Sequence, residues 1–419
     1  MDKPVVRISV RNLVEFILRS GDLDNRRGSA DKEAMLKGSR LHRKIQSQMG
    51  SHYRAEVSLK YTTEYDDVSI VVEGRADGIF TEDEQYFIDE IKGVYADVSQ
   101  LEKPVEVHRA QAMCYAWIYA REQQLEKIGV QMTYGNLDTE ELKYFREEFT
   151  LEELKDWYQE LLDRYHKWIS YQLAWKKERN ESMEGLEFPF EYREGQRKIV
   201  SSVYHTISAE RQIFIQAPTG VGKTMSTIFP AVRAVGAGLG ENIFYLTAKT
   251  ITRTVAEEAF LILKEHGLKF KVITITAKEK LCFCDKTECN PENCLWARGH
   301  LDRINDAVYE LWTTQDCYGR ERILEYAKKW QVCPFELCLD LAIWVDAVIC
   351  DYNYVFDPNV YLKRFFGEGT SGGYIFLIDE AHNLVDRGRE MYSAFVDRAD
   401  VLEAKKLAAD YSKGLVRAL

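Results

Sequence analysis

The sequence predicts an α/β protein built around a parallel sheet, on three observations. A glycine-rich loop, Ala217-Pro218-Thr219-Gly220-Val221-Gly222-Lys223-Thr224, follows a strand-like run from Gln212 to Gln216 and opens into a helical segment. A second apolar run, Tyr374 to Ile378, delivers the acids of Asp379-Glu380-Ala381-His382. Around these, strand-like runs near Asn242–Leu246, Lys271–Thr276 and Ala347–Cys350 alternate with helical ones, as in a doubly wound sheet.

Composition sets the limits. The 419 residues allow two or three domains, and 46% hydrophobic with 29% charged residues is ordinary for a soluble chain. The formal net charge of −11 argues against attraction of nucleic acid by overall charge, while leaving room for a local basic groove. No apolar run reaches membrane-spanning length. Met1 to Asn12 lacks a signal-peptide core, so a cytoplasmic location is expected. There are no internal repeats.

Residues 1–178 read as a first domain of mixed α/β character. In order, the patterns predict a helix at Glu33–Met49, strands at Tyr53–Tyr61, Val68–Arg75 and Tyr86–Lys92, and a helix at Val105–Gln123. Strands at Gly129–Tyr134 and Tyr144–Thr150 follow, then an amphipathic helix, Leu151–Lys177, whose Trp157, Tyr158, Tyr165 and Trp168 form a packing face. The charged stretch Lys176–Glu187 reads as a linker. Alternation in the third strand puts Glu90 and Lys92 on one face and Asp89 on the other. If the preceding hairpin turns near residues 83 and 84, Asp77 falls opposite Glu90. Two carboxylates and an ammonium then share one site. Oxygen donors suit Mg²⁺ or Mn²⁺, and a lysine beside them can orient or polarise water for attack on a phosphate.

Residues 179–277 and 346–394 read as a nucleotide-binding domain. Gly220 and Gly222 let backbone N–H groups turn toward a polyphosphate, Lys223 supplies a cation, and the Thr224 hydroxyl is placed for Mg²⁺. Asp379 and Glu380, at the end of a buried strand, are the acids that hold the metal and the attacking water. Between these motifs, residues 278–345 interrupt the alternation with a mainly helical insert. Eight of the nine cysteines fall between Cys282 and Cys350, and Cys114 is the exception. In a reducing compartment such clustering reads as a metal or cluster site. The spacing departs from paired C-x2-C zinc knuckles, and soft thiolates suit zinc or iron–sulfur clusters.

The phosphate loop, the cysteine insert and Asp379-Glu380-Ala381-His382-Asn383 in this order resemble the iron–sulfur helicases of superfamily 2, the XPD and DinG group. Lys280-Leu281-Cys282, Cys333-Pro334-Phe335 and Asp351-Tyr352-Asn353-Tyr354 resemble that group's cluster and pre-DEAH segments. The resemblance implies a RecA-like motor domain. It implies a 4Fe-4S cluster on Cys282, Cys289, Cys294 and Cys333, with Cys284 the rival of Cys282. It further implies ATP contacts from Gln196 and His382, and DNA contacts from Lys249, Thr250 and Arg253.

The first domain resembles the RecB-like branch of the PD-(D/E)xK nucleases, with their αβββαβ order. This implies catalytic Asp77, Glu90 and Lys92, His42 as a further metal ligand, and Gln111 and Tyr115 near the DNA. Together the resemblances imply an ATP-dependent DNA helicase joined to a metal-dependent nuclease. Its partner is single-stranded or forked DNA in repair or processing. No second motor domain is recognisable after His382, and residues 395–419 read as the start of a further arch-like segment. The expectation is a truncated chain that hydrolyses ATP poorly and does not unwind duplexes. The competing readings are a non-catalytic DNA-binding or redox-sensing iron–sulfur module, and an RNA-remodelling DEAH ATPase.

Overall fold

The computed structural model describes residues 3–26, 32–218, 220–248, 250–367, 372–409 and 411–419. The chain opens with β1 (Val5–Ser9), α1 (Val10–Ile17), α2 (Lys32–Gln48), β2 (Tyr53–Glu64), β3 (Ser69–Glu82) and β4 (Gln85–Val94). It continues with α3 (Glu106–Glu122), β5 (Lys127–Asn136), β6 (Leu142–Thr150) and α4 (Leu151–Met183). Next come α5 (Gln196–Ser208), α6 (Lys223–Gly236), β7 (Asn242–Thr247), α7 (Thr250–Glu265) and β8 (Val272–Thr274). The insert holds α8 (Lys278–Leu281), α9 (His300–Thr314), β9 (Cys317–Tyr318), α10 (Arg320–Trp330) and α11 (Pro334–Ala342). The remainder is β10 (Ala347–Asp351), α12 (Asn353–Phe356), α13 (Lys363–Phe366), β11 (Tyr374–Ile378), α14 (Leu384–Met391), α15 (Arg398–Ala408) and α16 (Lys413–Ala418).

These elements form two compact units. The first comprises Met1–Glu178, Ala277–Gln315 and Arg320–Trp344; the second comprises Arg179–Thr276, Asp316–Gly319 and Val345–Leu419. The cysteine-rich segment therefore belongs to the same unit as the N-terminal block. Leu23 and Asn25 donate backbone hydrogen bonds to the carbonyls of Ala297 and Cys289, both at 2.9 Å. Arg19 pairs with Asp340 at 2.8 Å, and Phe16, Trp168, Trp312 and Trp344 pack ring against ring.

In the first unit, β3 organises the sheet. Strand β2 runs antiparallel along one edge of it, from Tyr53–Phe80 to Glu64–Ser69. The other edge is shared: β1 pairs in parallel with Ser69–Glu73, and β4 pairs antiparallel with Gly78–Glu82. The stretch from Gly74 to Asp77 lies where that edge passes from one neighbour to the other. Strand β5 then adds in parallel to β4, and β6 antiparallel to β5. Helix α3 is buried continuously from Ala110 to Ala120. The β1–α1 pair escaped the sequence reading, although Val10, Leu13, Val14 and Ile17 are buried at helical spacing and Ser9 caps the helix at 3.1 Å through the Asn12 N–H.

The second unit holds an all-parallel sheet in the order β11-β7-β10-β8-β9. Ile243, Tyr245, Val272, Ala347 and Ile349 bury its apolar side chains with Ile228 and Val232 of α6 and Phe260 of α7. The shared direction brings the strands' carboxyl ends to one edge, with Thr247 opposite Asp351 and Ile378 opposite Leu246.

Two expectations are corrected here. The strand expected at Gln212–Gln216 is not formed; residues 211–218 have no regular structure, and Phe214 is 89% exposed. A strand needs a neighbour for its backbone groups, and this run pairs with no described strand. The linker expected at Lys176–Glu187 is helical through Met183. Its inner face carries buried Arg179, which pairs with buried Asp346 at 2.8 Å, and buried Met183.

Candidate functional sites

The β3–β4 register, Gly78 opposite Asp89, places Asp77 and Glu90 one step further on, across from each other. There the Ile91 N–H donates to Asp77 Oδ2 at 2.8 Å, so a carboxylate replaces a ladder carbonyl as acceptor. His42 Nδ1, from α2, lies 3.3 Å from Asp77 Oδ1. On the same face Lys92 Nζ contacts Glu90 Oε1 at 2.7 Å and Gln111 Oε1 at 3.1 Å. Tyr115 hydrogen-bonds to Gln111 from one turn along α3. Its hydroxyl approaches the backbone so closely that a Cβ at Gly74 would lie 2.6 Å away, which requires glycine there. Asp89 points to the opposite face, held by Tyr53 at 3.0 Å, Gln131 at 3.1 Å and Thr133 at 2.5 Å. The six residues singled out from the sequence thus meet on one side of one sheet.

Their electrostatics are unusual. Glu90 is 2% exposed, and burial pushes its carboxyl up to about 8 against the pull of Lys92. Its Oε2 is buried without a partner. Burial opposes a charge on His42, but the Asp77 carboxylate outweighs it and raises the imidazole pKa. Among the described residues no group of three or more His, Cys, Asp or Glu is arranged to hold a metal ion. The site is two pairs, His42–Asp77 and Lys92–Glu90, and not the three-ligand cage expected of His42, Asp77 and Glu90. The donor chemistry nevertheless fits a hard divalent cation: two facing carboxylates, one with an orphaned buried oxygen.

The cysteines also fall into groups other than expected. Cys284 Sγ lies 3.8 Å from Cys294 Sγ and hydrogen-bonds to Cys282 as well. Lys278 lies near Cys289 and Cys333. Among the described residues no three or more thiols are gathered as a metal would require, so Cys282, Cys289, Cys294 and Cys333 do not form a closed four-ligand set, and Cys284 is a direct neighbour of Cys294. All are free thiols, and Cys289, Cys294 and Cys333 are buried. Burial pushes Cys333 up to about 11 and Cys284 up to about 12, so both stay protonated at neutral pH without a metal. Cys317 sits on β9, at the edge of the second unit's sheet.

In the second unit the phosphate loop closes on itself. Gly220 and Gly222 have φ of 86° and 77°, in the left-handed region. Gln196, 4% exposed, accepts from the Arg193 N–H at 2.7 Å and donates to the Val221 carbonyl at 2.6 Å, bracing the loop from behind. Lys223 Nζ donates to the Ala217 carbonyl at 3.2 Å and lies 3.9 Å from Glu380 Oε1. Tyr245 was missed by the sequence reading. It is buried on β7, and its hydroxyl lies beside both Thr224 and Asp379, between the two motifs. Burial raises the Asp379 pKa, and the neighbouring Glu380 adds to the effect. Glu380 has φ 49°, a strained conformation for a side chain of its size. The Tyr352 hydroxyl donates to the carbonyls of Asp379 and Glu380. His382 Nδ1 lies 3.4 Å from Glu380 Oε2. Arg253 lies beside Asp351 at 3.8 Å. Lys249 and the Thr250 side chain lie outside the described residues.

Comparison with known proteins gives matches to part of the chain. Residues 247–401 match the DEAD_2 family. The chain is 29% identical over 116 residues to the Fanconi anemia group J protein homolog of Gallus gallus, covering 27% of this chain and 9% of that protein. It is 23% identical over 235 residues to a probable ATP-dependent helicase of Methanocaldococcus jannaschii, covering 55% of this chain and 34% of that protein. A solved XPD helicase aligns with 51% of this chain and 37% of its own, at 17% identity and a TM-score of 0.34. The chain spans about a third or less of the curated relatives it matches.

Proposed function

We propose that this chain carries the nucleotide-binding part of an XPD-like, ATP-driven DNA helicase together with a metal-dependent DNA nuclease, and acts in DNA repair or processing. The observation that carries the motor reading is the approach of Lys223 and Thr224, at the start of α6, to Asp379 and Glu380, at the end of β11, the two acids lying within the DEAD_2 match. Lys223 exchanges its carbonyl contact for the phosphates of ATP. Thr224 and Asp379 would hold the nucleotide's Mg²⁺, which would neutralise charge on the phosphates, and Glu380 would take up the proton of the attacking water. ATP turnover by the wild type, set against Lys223→Ala, tests this directly. Turnover is expected to fall at least about a hundredfold, and equal turnover in the variant refutes the assignment.

The nuclease reading rests on Asp77 lying opposite Glu90 with Lys92 alongside. Asp77 and Glu90, with His42, would hold Mg²⁺ or Mn²⁺, whose chemistry there is charge neutralisation at the scissile phosphate and a lowered water pKa. Lys92, braced by Gln111, holds the carboxyl of Glu90 and orients the water. Cys282 or Cys284, with Cys289, Cys294 and Cys333, would hold a 4Fe-4S cluster, a structural group with no part in the cleavage step. One observation favours a second reading, a nuclease fold that only grips DNA: the Lys92 ammonium already occupies Glu90 Oε1.

A further inference from the structure

Asp351 ends β10 at the carboxyl edge of the parallel sheet and stands between two arginines. Its Oδ2 lies 3.8 Å from Arg253 Nη2, and its Oδ1 lies 3.5 Å from Arg387 Nη2. Arg253 comes from α7, the helix after β7, and Arg387 from α14, the helix after the acid motif. Neither guanidinium is well satisfied. Besides Asp351, Arg253 has a 3.5 Å contact to the Ile275 carbonyl, and its Nε–H is buried without an acceptor. Arg387 otherwise meets Glu390 at 3.2 Å. Charge-assisted hydrogen bonds from arginine are normally about 2.7–2.9 Å long and often bidentate. A carboxylate facing two forks at these longer distances holds them by charge alone, and a phosphodiester offers both forks better-placed oxygens.

We propose that Arg253 and Arg387 form a docking pair for the phosphodiester backbone of a single-stranded polynucleotide, and that Asp351 holds this pair in reserve as a competing anion. The inference rests on the motor reading and adds Arg387 and Asp351 to it. Position makes the exchange consequential. The next residue, Tyr352, donates to the carbonyls of Asp379 and Glu380. A strand that displaces Asp351 therefore acts one residue from the group that holds the catalytic acids.

The test is Asp351→Asn. The amide keeps an oxygen for the Asn353 N–H, which the native carboxylate accepts at 3.0 Å, and removes the charge. Binding of labelled oligo(dT) and oligo(U) of equal length is measured by fluorescence anisotropy across a salt series, with ATP turnover followed in the same preparations. Asp351→Asn is expected to tighten binding roughly tenfold at low salt, with the gain shrinking as salt screens it. Arg387→Ala added to it should cancel the gain and lower the log–log salt slope by about one. A gain on both polymers assigns the shared backbone, and a gain on one assigns that polymer. Unchanged or weaker binding by Asp351→Asn, with Lys223-dependent ATP turnover intact, overturns the inference and leaves the motor reading standing. Absence of that turnover overturns the motor reading and the inference with it. If Asp351→Asn does not fold, Arg387→Ala alone decides, since undiminished binding by that variant refutes the docking pair.

Discussion

Glu90 concentrates the chemistry of the first unit in one side chain. Burial raises its folded-state pKa from an ordinary 4.5 to about 8. Between those values the folded protein holds a proton that the unfolded chain has released. Its contribution to stability is therefore complete below pH 4.5 and is lost as pH rises through 8. At about 1.4 kcal/mol per unit, the loss amounts to a few kcal/mol. In chelator, wild-type thermal stability should decline from pH 5 to pH 8. Glu90→Gln should flatten that decline and melt higher than wild type at pH 8. Parallel declines in the two proteins would show that the carboxyl is not buried as described. Gly222 makes the corresponding case in the second unit. Its φ is 77°, and an added Cβ would lie 2.6 Å from Gln196 Nε2. Gly222→Ala should strain the loop by about 1–2 kcal/mol and weaken ATP binding, measured by titration with a fluorescent nucleotide.

At the scale of elements, legibility followed from whether the signal was local. Helix α2, strands β2 to β6, helix α3 and strands β7, β10 and β11 all stood out by periodicity, and the hairpin near residues 83 and 84 set the register that joins Asp77 to Glu90. Where structure depended on a distant partner, the sequence was silent or misleading. Gln212–Gln216 has strand composition but no ladder. Residues 176–183 have linker composition, yet Arg179 finds Asp346 more than a hundred residues away. The cysteines can be counted, but which of them become neighbours, as Cys284 and Cys294 do, depends on how the loops fold. Tyr245 carries no motif that distinguishes it from other strand residues, and the Asp351-Tyr352-Asn353-Tyr354 segment stands out without any signal of the arginines that flank Asp351. The Arg179–Asp346 pair gives a direct check on α4. Arg179→Ala removes the guanidinium 2.8 Å from the buried Asp346 carboxylate and should cost about 3 kcal/mol or more in chemical denaturation. A loss below 1 kcal/mol would mean that the pair is solvated.

At the scale of the molecule, the proposed function assigns a different phosphate chemistry to each of two sheets, each site being assembled from segments far apart in sequence. In one, strands β3 and β4 face two acids across the point where an edge changes partner. In the other, parallel strands end together and bring two acids beside the lysine and threonine that open α6. No described helix is long and apolar enough to cross a membrane. The net charge of −11 fits recognition by local cations such as Arg253 and Arg387 better than by overall attraction. Cutting and ATP turnover use separate sites in the proposed function, so Lys223→Ala should retain metal-dependent cleavage. The most direct measurement is digestion of end-labelled single-stranded DNA with Mn²⁺, comparing wild type, Lys223→Ala and Glu90→Gln. Cleavage is expected from the first two and none from the third, with DNA binding retained in all three. Cleavage by Glu90→Gln at the wild-type rate, or none by any of them, would contradict the proposed function.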